Sequence, residues 1–128
     1  LAKLEYRSLR FESEVLPTDN AQGNAVINYT DAETPYTRVM EWRHFDQKGD
    51  DNVSILTREY PQVWDRSKEA YYPVNDEKNS TLFKQYRSEA KQLDKVIMGG
   101  RLGNYQYYDM DQVFNAALGA VEKEFQQD

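Results

Sequence analysis

Three groups of side chains in this sequence could act on a charged ligand. Arg38 closes the segment Thr34-Pro35-Tyr36-Thr37-Arg38, at the start of an alternating run. A guanidinium is planar, permanently charged and matched to two phosphate oxygens at once, although an Arg on a strand edge is also a common surface ion-pair partner. The second group is Gly99-Gly100-Arg101-Leu102-Gly103, followed by Tyr105, Tyr107, Tyr108 and Asp109. Its glycines let backbone approach a ligand closely, and a helix opening at Asp109 offers N–H groups and a positive dipole end to phosphates or a polar ring edge. It is not a dinucleotide fingerprint, because the G-x-G-x-x-G spacing is absent and the helix starts too late. The third group is Ala70-Tyr71-Tyr72-Pro73-Val74-Asn75-Asp76. Pro73 forces Tyr72 towards extended backbone, so its ring can project from the loop. For each group ordinary packing, capping or surface ion pairing is the competing reading, and spacing alone does not decide between them.

Other chemistries are poorly supplied. With no cysteine, disulfides and thiolate metal sites are excluded. His44, the single histidine, sits beside Trp42 on an expected strand face, where packing is the commoner role, and no metal site can be assembled from it. The carboxylates form no isolated pair in an apolar setting of the kind glycoside hydrolysis needs. No serine lies in a G-x-S-x-G context.

The elements that must position these groups change character along the chain. The first half alternates apolar and polar residues as strands do. Leu4–Glu14, Ala25–Tyr29, Thr37–Phe45 and Val53–Glu59 are expected strands, with Pro17–Asn24 a turn-rich loop and Gln47–Asn52 a polar hairpin loop. Connections this short make antiparallel neighbours. In the second half Leu82, Phe83, Tyr86, Ala90 and Leu93 mark one buried stripe of a helix, with Asp76 or Asn79 as its N-cap. Lys95–Met98 is an expected short buried strand. Val113, Phe114, Ala117, Leu118, Val121 and Phe125 mark a second, cleaner amphipathic helix, opened by Asp109 and Gln112 in a capping-box pattern. The expected fold class is α+β, an antiparallel sheet of four to six strands with two helices.

Composition bounds the partners. The chain has 128 residues, the size of one domain, and a formal net charge of −6, with acids outnumbering bases 22 to 16. Affinity for nucleic acid or an anionic membrane needs a concentrated basic surface, so neither is expected. No apolar run approaches the roughly 20 residues of a membrane helix, no signal peptide opens the sequence, and a cytoplasmic location is the default. The lack of an initiator Met suggests part of a longer chain. Ten tyrosines are present, five of them in the groups Tyr71-Tyr72 and Tyr105/Tyr107/Tyr108. A phenol suits both sheet packing and polar ligand recognition.

Six phrases, in order and at matching spacing, resemble the bacterial UDP-galactopyranose mutase family. They are Leu4–Phe11, Gln22–Asp31, Pro35–Arg38, Thr57–Pro61, Tyr71–Asp76, and Gly99–Gly103 with Tyr107–Met110. The resemblance spans nearly the whole chain. It implies the C-terminal part of a larger FAD-dependent α/β enzyme, with residues 1–128 as the substrate and flavin-edge region. The Rossmann-type flavin domain, the lid and the uridine-stacking residues lie outside the match. It further implies isomerisation between UDP-galactopyranose and UDP-galactofuranose, with N5 of the reduced flavin as covalent nucleophile and no net redox change.

By resemblance, Arg38 neutralises the diphosphate as the sugar bond breaks, Tyr72 and Tyr107 hydrogen-bond it, and Asn28 lies near the sugar. Arg101, Asp109, Met110 and Arg7 face the flavin. Glu59 is similarly placed but has no assigned role. The implied cofactor is FAD, held mainly by the N-terminal part of the same enzyme, and the implied partners are UDP-galactose, that N-terminal part and a second copy in a homodimer. The 128 residues alone are expected to be inactive. A non-catalytic nucleotide-sugar-binding module is the alternative, and a structural domain whose tyrosines simply pack is a third reading.

Overall fold

The computed structural model describes residues 1–46 and 52–126, so the expected hairpin loop from Gln47 to Asn52 lies, Asn52 apart, outside the described residues. Strands β1 (Tyr6–Leu16), β2 (Val26–Asn28), β3 (Arg38–Glu41), β4 (Ser54–Val63) and β5 (Tyr72–Pro73) precede helices α1 (Glu77–Ala90), α2 (Gly100–Gly103) and α3 (Met110–Phe125). The strands form one antiparallel sheet in the order β2-β3-β4-β1-β5. The α+β class, the strand count and the two long helices are as expected; the one-turn α2 is additional. The chain divides into two compact units, Leu9–Val63 and Leu1–Ser8 with Trp64–Asp128.

In the unit Leu9–Val63, β3 alternates half-buried Arg38 and Met40 with buried Val39 and Glu41. Its cross-strand partners in β4 are Glu59 for Arg38 and Leu56 for Glu41. Glu41 is fully buried, and both carboxylate oxygens are occupied. Oε1 accepts from Ala21 N at 2.8 Å and from Ser54 Oγ at 2.5 Å, while Oε2 accepts from Gln22 N at 2.9 Å. His44 Nε2 lies 3.2 Å from Oε2. This carboxylate ties the loop after β1 to the sheet, and Gly23, at φ +80°, supplies the left-handed turn that lets the loop fold back.

The alternation from Thr37 predicts a strand through Phe45, yet β3 stops at Glu41 and Trp42–His44 form a 3₁₀ turn. A turn brings residues three apart together, which extended chain cannot do. Here it sets Trp42 beside Phe45, with ring centroids 5.7 Å apart, and His44 beside Glu41. Trp42 Nε1 donates to Thr57 Oγ1 at 2.7 Å. These contacts together outweigh two further rungs of ladder.

In the other unit, β5 pairs with the start of β1, Tyr72 opposite Arg7 and Pro73 opposite Tyr6. Tyr72 is extended, as the following proline requires. Asp76 caps α1 by accepting from Asn79 N at 2.7 Å. Asn79, also fully buried, accepts from Glu5 N at 3.1 Å and donates to Glu5 Oε2 at 3.0 Å. The phenol of Tyr105 donates to Glu5 O and accepts from Val74 N at 3.1 Å, joining three segments. Its ring stacks on Phe83 and meets Tyr6 edge-on. Tyr105→Phe keeps the ring and the left-handed backbone (φ +48°) and removes only the hydroxyl. It is expected to lower the unfolding free energy in urea by about 1 kcal/mol, because the bonds to Glu5 O and from Val74 N are lost while the direct bond from Val74 N to Glu5 O, at 3.3 Å, remains.

Two further expectations fail here. Lys95–Met98 is not a strand: the segment is turn and irregular chain, with Val96 51% and Ile97 63% exposed. Four residues without a neighbouring strand leave their ladder groups unpaired, so the apolar run alone cannot make the element. The stripe expected to be buried on α1 is only half-buried at Leu82, Phe83, Tyr86 and Ala90, and Leu93, 57% exposed, falls beyond the end of the helix; the apolar face of α3 is exposed, and no residue of α3 is fully buried. The capping box of Asp109 with Gln112 is present, Gln112 Oε1 accepting from Asp109 N at 2.9 Å.

Candidate functional site

Each unit holds one group of the sequence-selected residues. In Leu9–Val63, antiparallel register places Asn28, Arg38 and Glu59 in one row across β2, β3 and β4. Side chains directly opposite share a face. Arg38 Nε donates to Asn28 Oδ1 at 3.0 Å, and an Arg38 guanidinium nitrogen lies 3.9 Å from Glu59 Oε2. Glu59 is itself held, accepting from Thr37 Oγ1 at 3.0 Å, and its backbone carbonyl accepts from Thr37 N at 2.9 Å. Arg38 is thus gripped from both sides while 43% of its side chain stays open to solvent. A guanidinium fixed in this way meets an anion with little further loss of rotamer freedom. The aromatic chain Tyr29–Tyr36–Tyr60, with centroids 4.9 and 5.8 Å apart, lies in the same unit.

In the other unit the glycine-rich segment becomes α2, with Gly99 as N-cap and Gly100 at φ +73°. That turn delivers Arg101 to two tyrosines. Its guanidinium carbon is 4.3 Å from the centroid of Tyr107 and 5.4 Å from that of Tyr72, and the two rings are 5.6 Å apart. Such stacking is favourable and leaves the in-plane N–H donors available. Arg101 Nε is buried without a hydrogen-bond partner among the described residues, which is rare for so strong a donor. A cavity of about 270 Å³ is lined by Arg101, Tyr107, Tyr108, Asp109, Met110 and Phe114 at the start of α3. Arg7 enters through its backbone, pairing with Tyr72.

The structure therefore brings Asn28 together with Arg38, and Tyr72 together with Arg101 and Tyr107. Asp109 and Met110 line the cavity beside Arg101. Tyr108, which the sequence placed in the tyrosine group without a role of its own, is a cavity wall, and Thr37 as the support of Glu59 escapes sequence reasoning. Thr37 is adjacent to Arg38, but its contact depends on strand register. Among the described residues no group of three metal-ligating side chains occurs, and no helix is long and apolar enough to cross a membrane.

Chemically, a stacked cation with an unused donor beside tyrosines and a small cavity suits an anionic ligand carrying a flat ring. The protein-family model that matches, described as UDP-galactopyranose mutase, covers residues 1–107. A dTDP-fucopyranose mutase of Escherichia coli is 34% identical over 119 residues, 93% of this chain and 32% of that protein. A probable UDP-galactopyranose mutase of Klebsiella pneumoniae is 33% identical over 121 residues, and a UDP-galactopyranose mutase of Mycoplasma pneumoniae 34% over 126; each match covers 94% of this chain and 31% of that relative. The chain belongs to the UDP-galactopyranose mutase family. It spans about a third of the length of these curated relatives.

Proposed function

We propose that these residues are the C-terminal, diphosphate-holding part of a flavin-dependent mutase that interconverts UDP-galactopyranose and UDP-galactofuranose. The observation that carries the reading is the cluster of Arg101, Tyr107 and Tyr72, with the orphaned Arg101 Nε beside a cavity at the start of α3. Arg38, half exposed and held by Asn28 and Glu59, supplies a second fixed cation.

In this reading Arg38 and the hydroxyls of Tyr72 and Tyr107 retain the diphosphate while the anomeric bond is broken. Holding the leaving group within reach makes its return effectively intramolecular, which is the main demand of an isomerisation. Arg38 offsets the charge that accumulates on the departing phosphate, a contribution larger in the transition state than in the ground state. The residues beside the cavity fit the polar edge of a flavin: Arg101 offers a guanidinium fixed by stacking, Tyr107 and Tyr108 flat apolar faces, and Met110 an adaptable one. About 270 Å³ has room for part of an FAD molecule only, consistent with the rest being held outside this chain. Reduced FAD, when bound, supplies the nucleophile for the anomeric carbon.

The test is turnover by the family-length protein carrying this segment. It is expected to be yellow and, after reduction, to convert UDP-galactofuranose into UDP-galactopyranose, whereas the 128 residues alone take up little flavin. Conversion of dTDP-fucopyranose instead would move the substrate to that in the name of the Escherichia coli relative. Nucleotide-sugar binding without any conversion would favour a non-catalytic module.

A further inference from the structure

Helix α3 has two apolar faces of different character. Val113, Ala116, Gly119 and Ala120 form a small-residue face, half-buried, and Ala120 shares a cavity with Arg87 and Ala90 of α1. Met110, Phe114, Leu118, Val121 and Phe125 lie on an arc of roughly 100° next to it. These five large side chains are 53–81% exposed. Scattered apolar residues on a surface are ordinary, but an unbroken stripe along four turns marks a surface that is covered by something.

We propose that this stripe is the docking surface for the part of the family-length polypeptide that lies outside these 128 residues, so that α3 is an interior helix of the longer protein. The chain accounts for only 30–32% of its relatives' length. Matches covering 93–94% of the chain extend into α3, so the helix belongs to the shared sequence rather than to a tail. The borders of the stripe also describe its cover. Asp111 and Glu122 flank one side and Glu124 the other, so the facing surface is apolar with a basic rim. A second copy of this chain would set these acids against one another across a two-fold axis, which disfavours self-pairing.

The inference rests on membership of the family and not on the flavin or on turnover. Because the 128 residues contain no cysteine, Leu118→Cys places one thiol in the stripe, and Asn115→Cys places one away from it. Both are to be labelled with a maleimide in the 128-residue chain and in the family-length protein, with adducts read at peptide level by mass spectrometry. Position 118 is expected to label at least ~100-fold more slowly in the longer protein, as a buried site reached only by local opening does, while position 115 labels alike in both. Equal labelling of position 118 overturns the proposal. So does protection in the 128-residue chain that grows with concentration alongside a dimer mass in light scattering, which assigns the face to a second copy. Hydrogen exchange of the α3 amides in the unsubstituted proteins tests the docking without a variant: slower exchange in the longer protein is expected, and unchanged exchange counts against it.

Discussion

Alanine at position 38 is expected to lower kcat/KM of the family-length mutase by roughly 10²–10³-fold, the usual cost of losing a fixed group that stabilises transition-state charge. Arg38 acts, in the proposed reading, on charge that builds as the anomeric bond breaks, so kcat falls along with affinity. The truncation also releases Asn28 Oδ1 and the carboxylate of Glu59, which is only 12% exposed at its side chain. Arg38→Lys therefore belongs in the same experiment. It keeps a cation beside Glu59 but lacks the planar fork, and recovery of only a small part of the lost rate is expected. Circular dichroism and the urea midpoint separate misfolding from lost chemistry. A folded alanine variant that turns over like the parent removes Arg38 from the mechanism.

Glu41→Gln is expected to cost about 3 kcal/mol of unfolding free energy at neutral pH, because it sets an amide N–H₂ among donors that all need an acceptor. The carboxylate is surrounded by the hydroxyl of Ser54, the backbone N–H groups of Ala21 and Gln22, and the imidazole of His44. Burial on its own would raise the pKa of Glu41, but these donors and the nearby imidazole outweigh it and hold the value down to about 2. A pKa lower in the folded state than in the unfolded one means that the unfolded chain takes up the proton first. The contribution is thus complete above the ordinary carboxylate value of 4.5 and is lost as pH falls from there towards about 2. Urea titrations of parent and variant should differ clearly above pH 5 and converge in acid. A difference below about 0.5 kcal/mol at pH 7 would mean that Glu41 does not tie the loop to the sheet.

Much of the fold was legible because local rules governed it. Pro73 extended Tyr72, Asp76 and Asp109 capped their helices, and alternation marked most of the sheet. The failures share a cause. Trp42–His44 left the strand because contacts three residues apart, and one to Thr57, were worth more than two further rungs. Val96 and Ile97 have the composition of a strand but no neighbouring strand. In α3 the apolar period is correct, but period records only that a face is to be covered. It does not record by what.

By itself the sequence determined the class of fold, the helix starts, the residue types able to grip a diphosphate, and a family resemblance carried by six ordered phrases. Only the tertiary structure decided that Asn28 and Glu59 flank Arg38, that Arg101 stacks on Tyr107 and Tyr72 with its Nε unpartnered, and that Glu41 is a buried anchor. Caps, turns and amphipathic periods depend on residues a few positions apart, so they are written locally. Register between strands and the environment of a buried charge depend on residues far apart in the chain, and their energies exist only once the chain has brought them together.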